Sequence, residues 1–178
     1  TMEFIEGVPL SRWVAEQNPA LEKRIRIFIE ICESIASLHK RDLTHRDLKP
    51  ENLMLDGDGD LRILDFGLAR FDHEASGLTS GETVLGSFHC MAPEQTGTGE
   101  RPGKPADVYA LGMIGYCLLT GQYPYSLRGL SEAERVQTIR HSSPAPPSQI
   151  DPELSDLWDK ILLRCLAKQP GQRPAHAE

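Results

Sequence analysis

Hydrophobic residues recur every three or four positions through Leu21, Ile25, Phe28, Cys32, Ile35 and Leu38, a spacing that predicts one long amphipathic helix with its stripe turned to a core. Asn18 and Pro19 stand at its start as cap and first helical residue. Ahead of it, VPLSRWVAEQ predicts a short amphipathic helix with Leu10, Trp13 and Val14 on one side. A third run, ADVYALGMIGYCLLTG, opens after Pro105 and is stopped by Gly121. It is apolar almost all round and therefore belongs in the interior. Ser131 and Glu134 form the capping box of a further helix, EAERVQTIRH. The last predicted helix, PELSDLWDKILLRCLAK, carries Leu154, Leu157, Trp158, Ile161, Leu162 and Cys165 on its inner face and ends near Pro170. His39, at the end of the long helix, reads as a packed structural histidine rather than a ligand.

The period changes after Asn52. LML and LRIL flank the polar turn DGDGD, which predicts two short strands joined by a tight hairpin. The alternating aspartates of that turn begin like a calcium loop, but Leu61 stands where the sixth-position glycine is needed and Gly67 where the bidentate glutamate belongs. A solvated turn is the better reading. From Asp65 to Glu94 the chain is rich in Gly, Ser and Thr, with little periodicity, and is expected to be a mobile surface loop. TGTGERPGKPA, QYPYSLRG and SSPAPPSQ read as connections. The expected fold class is mainly α (α+β): a helical bundle with a small β-hairpin.

Composition adds limits. With 178 residues, 39% hydrophobic and 25% charged, the chain fits one ordinary globular domain with a real core. A net charge of -7 without a basic run speaks against a nucleic-acid-binding face, and no apolar run approaches a membrane span. Cys32, Cys90, Cys117 and Cys165 are widely spaced with no CxxC pair, so they are expected to be reduced thiols of a cytoplasmic protein.

Chemistry concentrates in HRDLKPEN. On a helix, Asp47 and Asn52 would lie about 140° apart, on different faces. Pro50 disfavours helix at Lys49 and makes the segment a loop, in which Asp47, Lys49 and Asn52 can converge. The hairpin then returns Asp65 toward Asn52. Two oxygen ligands, Asn52 and Asp65, suit a hard cation such as Mg2+. Beside them Asp47 can orient and deprotonate a hydroxyl, and Lys49 can offset phosphate charge, which is the equipment of phosphoryl transfer.

HRDLKPEN, then DFG at Asp65, Phe66 and Gly67, then APE ending at Glu94, in this order, resembles the catalytic region of eukaryotic-type protein serine/threonine kinases. Lys49, two residues after the base, is the serine/threonine form of that motif. The resemblance implies the large lobe of a kinase-like fold over residues 1–178, with a hinge remnant at 1–7, the catalytic loop at 45–52, an activation segment at 65–94 and a helical subdomain at 95–178. It implies ATP and Mg2+ as cofactors and a protein as substrate. Met2 would be the gatekeeper, the backbone of Glu3 and Ile5 the adenine edge, and Met54 the floor beneath the base.

The same resemblance assigns supporting roles. Arg46 would receive a phosphate placed on the activation segment, with Thr83 the first candidate and Thr79, Ser80 and Ser76 competitors. Ser87 keeps the hydroxyl that would bridge Asp47 and Lys49. Asp107, a charge entering an apolar helix, would hold the backbone near His45 and Arg46. Arg173 would pair with Glu94, a contact whose loss strands a buried charge at a cost on the order of 3–5 kcal/mol. His89 and Cys90 depart from the family pattern, which bears on substrate docking. The Gly-rich loop, strand lysine and helix glutamate of a complete kinase are not in this sequence. The chain is therefore expected to be a fragment of a longer protein, inactive alone, that starts at the hinge and stops just inside a final helix. APEQ and the short loops resemble bacterial members, which often sit on the cytoplasmic side of a membrane-anchored chain. Two other functions compete: a pseudokinase or scaffold, which Asp47, Asn52 and Asp65 argue against, and a small-molecule kinase of the aminoglycoside type, which the APE run, Asp107 and Arg173 argue against.

Overall fold

The computed structural model describes residues 7–57, 59–64, 88–97 and 102–177. Strand β1 (Gly7–Pro9) runs directly into helix α1 (Leu10–Gln17), and α2 (Leu21–His39) follows. After a loop and one 3₁₀ turn, Pro50–Asn52, come β2 (Leu53–Asp56) and β3 (Leu61–Ile63). A 3₁₀ turn at Pro93–Thr96 precedes α3 (Lys104–Thr120), α4 (Glu132–His141) and α5 (Asp156–Cys165).

The largely apolar α3 is the centre, with residues from Ala106 to Leu119 buried on nearly every side. Pro105 sits in its first turn and Gly121, at φ 73°, closes it in the left-handed conformation that an L side chain resists. Helices α2 and α5 pack on it from two directions, and two glycines set how closely. A Cβ at Gly115 would lie 2.5 Å from the Phe28 ring, and one at Gly112 would lie 2.8 Å from Cys165 Cβ. No atom fits there without pushing the helices apart. Ile31 and Ile35 of α2 and Leu162 of α5 are fully buried in this contact, each worth roughly 1.5–3 kcal/mol of apolar burial.

The predicted hairpin is present, and it is part of a three-stranded antiparallel sheet in the order β1-β2-β3. Val8 and Pro9 pair with Leu55 and Met54, so the residues expected to open the first helix form a strand, and that helix begins at Leu10. Asn18 does not start the long helix. It takes φ 38°, closes α1 through its N–H to Val14 O, and leaves Ala20 as the cap residue of α2. The last helix is shorter than expected, beginning after Ser155. Its Leu154 neighbour, Leu162 and Cys165 are buried as read, but Leu157 and Ile161 are 57% and 39% exposed. They lie one turn apart on the side of α5 that points away from α3. The capping box forms as predicted: Ser131 N donates to Glu134 Oε2 at 2.8 Å, and Glu134 N donates to Ser131 Oγ at 3.4 Å. The Pro-rich connection is pinned at both ends, by Tyr116 OH on Ala145 O and by Ser148 on the carboxylate of Asp159. No described helix is long and apolar enough to cross a membrane.

Candidate active site

The loop that carries residues 45–52 hangs from the first turn of α3. Asp107 is 1% exposed, and its carboxylate is taken up by three donors. The backbone N–H of His45 donates to Oδ2 and that of Arg46 to Oδ1, both at 2.8 Å, while His39 Nε2 donates to Oδ2 at 3.0 Å. A buried carboxylate is tolerated because its charge is spread over these hydrogen bonds. They also hold Arg46 at φ 67°, a conformation that costs a non-glycine residue about 1–2 kcal/mol. His45, fully buried, donates from Nε2 to Leu64 O at 3.2 Å. Because a carbonyl only accepts, this contact fixes the proton on Nε2. The loop is thereby fastened to α3 on one side and to the end of β3 on the other.

Downstream of this anchor, the loop gathers three of the expected residues. Lys49 Nζ donates to Asp47 Oδ2 at 2.9 Å, with both side chains only about one-fifth exposed at 18% and 20%. Asn52 Nδ2 donates to the backbone oxygen of Asp47 at 2.8 Å. Since that carbonyl needs a donor, the amide is oriented and Asn52 Oδ1 is left as the acceptor it offers. The 3₁₀ turn that begins at Pro50 brings Asn52 back to Asp47. The backbone N–H of Leu64 donates to Asn52 O at 2.8 Å, so the end of β3 returns to this point.

Leu53 and Leu55 of β2 face the core, while Met54 lies on the opposite face of the sheet. Its Cε stands 3.3 Å from where a Cβ on Gly7 would be. Met2, Glu3, Ile5, Asp65, Phe66, Gly67, Ser76, Thr79, Ser80, Thr83 and Ser87 lie outside the described residues. Arg46 Nε donates to Thr44 Oγ1 at 3.0 Å.

At the far end of the expected activation segment, Glu94 and Arg173 meet. Arg173 Nη1 donates to Glu94 Oε1 and Nη2 to Oε2, both at 2.7 Å. The remaining guanidinium donors reach the carbonyls of Ala167, Pro105 and Lys168, so all five N–H groups are used. The ring of Tyr109 lies 4.9 Å from the guanidinium carbon. Arg173 has no exposed side-chain surface, and Glu94 retains 19%.

Other side chains flank this site, and the sequence carried no sign of the contacts they make. Cys90 and Met91 face Asp47 and Lys49 across a cavity of only about 10 Å³. Cys90 is buried, and burial drives its thiol well above the usual range, with Glu51 adding to the shift. His39, read as a packed structural histidine rather than a ligand, is buried and is also the third partner of Asp107. The lone signal for it was an apolar stripe ending in an imidazole.

The whole chain, residues 1–178, matches the family model described as the protein kinase domain. It is 37% identical to serine/threonine-protein kinase Pkn1 of Myxococcus xanthus, covering 98% of this chain and 25% of the relative. It is 32% identical to serine/threonine-protein kinase PrkC of Bacillus subtilis, covering 99% and 27%, and 32% identical to serine/threonine-protein kinase PknB of Mycobacterium tuberculosis, covering 97% and 27%. The chain thus spans about a quarter of the length of these curated relatives.

Proposed function

This chain belongs to the protein kinase family, and from that premise we propose that the protein carrying it transfers the γ-phosphate of ATP to serine or threonine hydroxyls of protein substrates. The observation that carries the reading is the Asp47–Lys49–Asn52 cluster on a loop suspended from Asp107. Asp47 is the group that orients the acceptor hydroxyl and takes its proton. Lys49, already 2.9 Å from that carboxylate, offsets charge on the phosphate in transfer. Its presence two residues after the base favours serine and threonine over tyrosine as acceptors, by the family resemblance.

The donor set fits a hard divalent cation, because Asn52 Oδ1 is an oxygen ligand whose amide is already oriented. Asn52 together with Asp65 would hold Mg2+, which when bound neutralises phosphate charge. Met54, on the outer face of β2, would support the adenine, with Met2 and the backbone of Glu3 and Ile5 at its edge. Arg46 would receive a phosphate on Thr83 or a neighbouring hydroxyl.

The Gly-rich loop and phosphate-gripping lysine that the resemblance calls for are not in these residues, and positioning supplies most of the rate in phosphoryl transfer. The 178 residues alone should therefore bind MgATP weakly and turn it over negligibly. The test is incorporation of labelled γ-phosphate into serine-, threonine- and tyrosine-centred peptides by the full-length protein and by this chain alone. The reading expects label on serine and threonine peptides with the full-length protein only. Label confined to tyrosine, or absent from every peptide, would overturn it.

A further inference from the structure

Helix α4 presents two arginines to the segment that ends the expected activation segment, and among the described residues neither has a carboxylate partner. The Arg135 guanidinium lies 5.6 Å from the centre of the Phe88 ring. Arg140 Nε donates to the hydroxyl of Thr96 at 2.6 Å. No described carboxylate pairs with either, and the buried Nε of Arg135 has no hydrogen-bond partner. The adjacent acid, Glu134, is committed elsewhere, accepting from Ser131 N at 2.8 Å and from Ser131 Oγ at 2.6 Å. In a chain with a net charge of -7, an arginine held against an aromatic face with no counter-ion among the described residues has donor capacity and charge to offer.

The neighbourhood sets what could use it. His89 stacks on Tyr123 with ring centres 4.0 Å apart and planes 14° from parallel, making a flat, rigid floor beside Phe88. Burial, with the nearby Arg135 adding, holds the His89 imidazole below its usual range. Cys90 and Met91, immediately after this floor, line the same narrow gap as Asp47 and Lys49. From Phe88 to Cys90 the backbone can span at most about 7 Å. An extended peptide with its hydroxyl at Asp47 would run along this segment and pass Arg135 within a few residues of the acceptor.

We propose that Arg135, braced on Phe88, selects protein substrates that carry an anionic side chain within three residues of the phosphorylated serine or threonine. The inference rests on the kinase reading and names the substrate class of that same site. Arg140 anchors α4 to Thr96 and so fixes the height of Arg135 above Phe88; it acts as a positioning residue.

The experiment uses the full-length protein and a serine-centred peptide set in which Glu, phosphoserine, Ala or Lys is moved through three positions on each side. The expected result is one position at which Glu or phosphoserine raises kcat/KM about tenfold over Ala, the scale of one charge-assisted hydrogen-bonded pair. The gain should appear in KM. Arg135→Ala raises KM of the anionic peptide to that of its alanine counterpart, Arg135→Lys restores part of the gain, and Arg135→Glu moves the preference to Lys. Unchanged melting temperatures across these variants show that the effect is recognition and not folding. Glu above phosphoserine would assign unmodified acidic substrates, and the reverse would assign substrates already phosphorylated nearby. Phosphorylation with no preference at any position, or equal losses on all peptides in Arg135→Ala, overturns this inference and leaves the kinase reading standing. No phosphorylation of any peptide overturns both.

Discussion

Replacing Asp107 by Asn removes one charge and one acceptor from the point on which the 45–52 loop hangs. The carboxylate accepts from His45 N, Arg46 N and His39 Nε2. An amide in the same place can keep its oxygen on the first and third of these only by turning its NH2 toward Arg46 N. At least one charge-assisted hydrogen bond, worth about 1.5–3 kcal/mol, is lost, and a buried N–H without a partner adds about 1–3 kcal/mol. A loss of roughly 3–5 kcal/mol is expected, which in a chain of this size is a fall in Tm of about 6–20 °C. Relief of the strain at Arg46, about 1–2 kcal/mol, offsets part of the loss only if the loop leaves its φ of 67°. In that case Asp47 leaves its position as well. Calorimetric melting of the variant, with hydrogen exchange at the amides of residues 45 and 46, separates these outcomes. A Tm within 2 °C of the parent with unchanged protection at both amides would refute the assignment of Asp107 as the anchor.

Three further outcomes follow from the same geometry. Glu94→Gln should cost about 3 kcal/mol by urea denaturation, the low end for a broken buried pair because the glutamate keeps some solvent contact, and Arg173→Met should cost more because three backbone carbonyls also lose their donor. Equal or negligible losses would contradict the five-donor picture. Burial raises the thiols of Cys32 to about 12 and of Cys117 and Cys165 to about 11, from an ordinary 9.0. Their stabilising contribution is therefore intact below about pH 9 and lost as pH rises through 11, and the denaturation midpoint should fall across that window. Lys168, lowered to about 8 chiefly by burial, opposes this between pH 8 and 10.5, so a midpoint that rises from pH 9 to 11 would show that the thiols do not dominate. Gly115→Ala should destabilise by about 1–3 kcal/mol, because its Cβ meets the ring of Phe28; a stabilised variant would mean that α2 and α3 yield easily.

The sequence carried most of this fold wherever one local rule had no competitor. The all-round apolar run after Pro105 could only be buried, and Ser131 with Glu134 could only cap. It misled where two ends competed for one residue. Asn18 is a good cap for the helix after it, yet it closes the helix before it, with its side chain accepting from Arg24 Nη2 at 2.9 Å. Val8 and Pro9 were assigned to a helix because their partners, Leu55 and Met54, are far along the chain. Leu157 and Ile161 continued an apolar stripe that is wider than the surface α3 offers to α5. At the site, the motif residues Asp47, Lys49 and Asn52 were legible because their spacing is local. The pairing of Glu94 with Arg173 and of Asp107 with the loop came from family resemblance, and the structure contains both contacts. The Arg135–Phe88 contact had no signal in the sequence, since a single arginine on a polar helix looks like any solvated charge.

The central claim, that Asp47 is the base of a phosphoryl transfer to protein hydroxyls, is tested most directly by Asp47→Asn in the full-length protein. Nucleotide affinity is read by calorimetric titration with MgATP, and turnover by labelled phosphate transfer to a serine peptide. The account predicts affinity close to the parent and a turnover reduced by about 10²–10⁴-fold, the contribution of a positioned general base. Turnover within a few-fold of the parent at unchanged nucleotide affinity would contradict it.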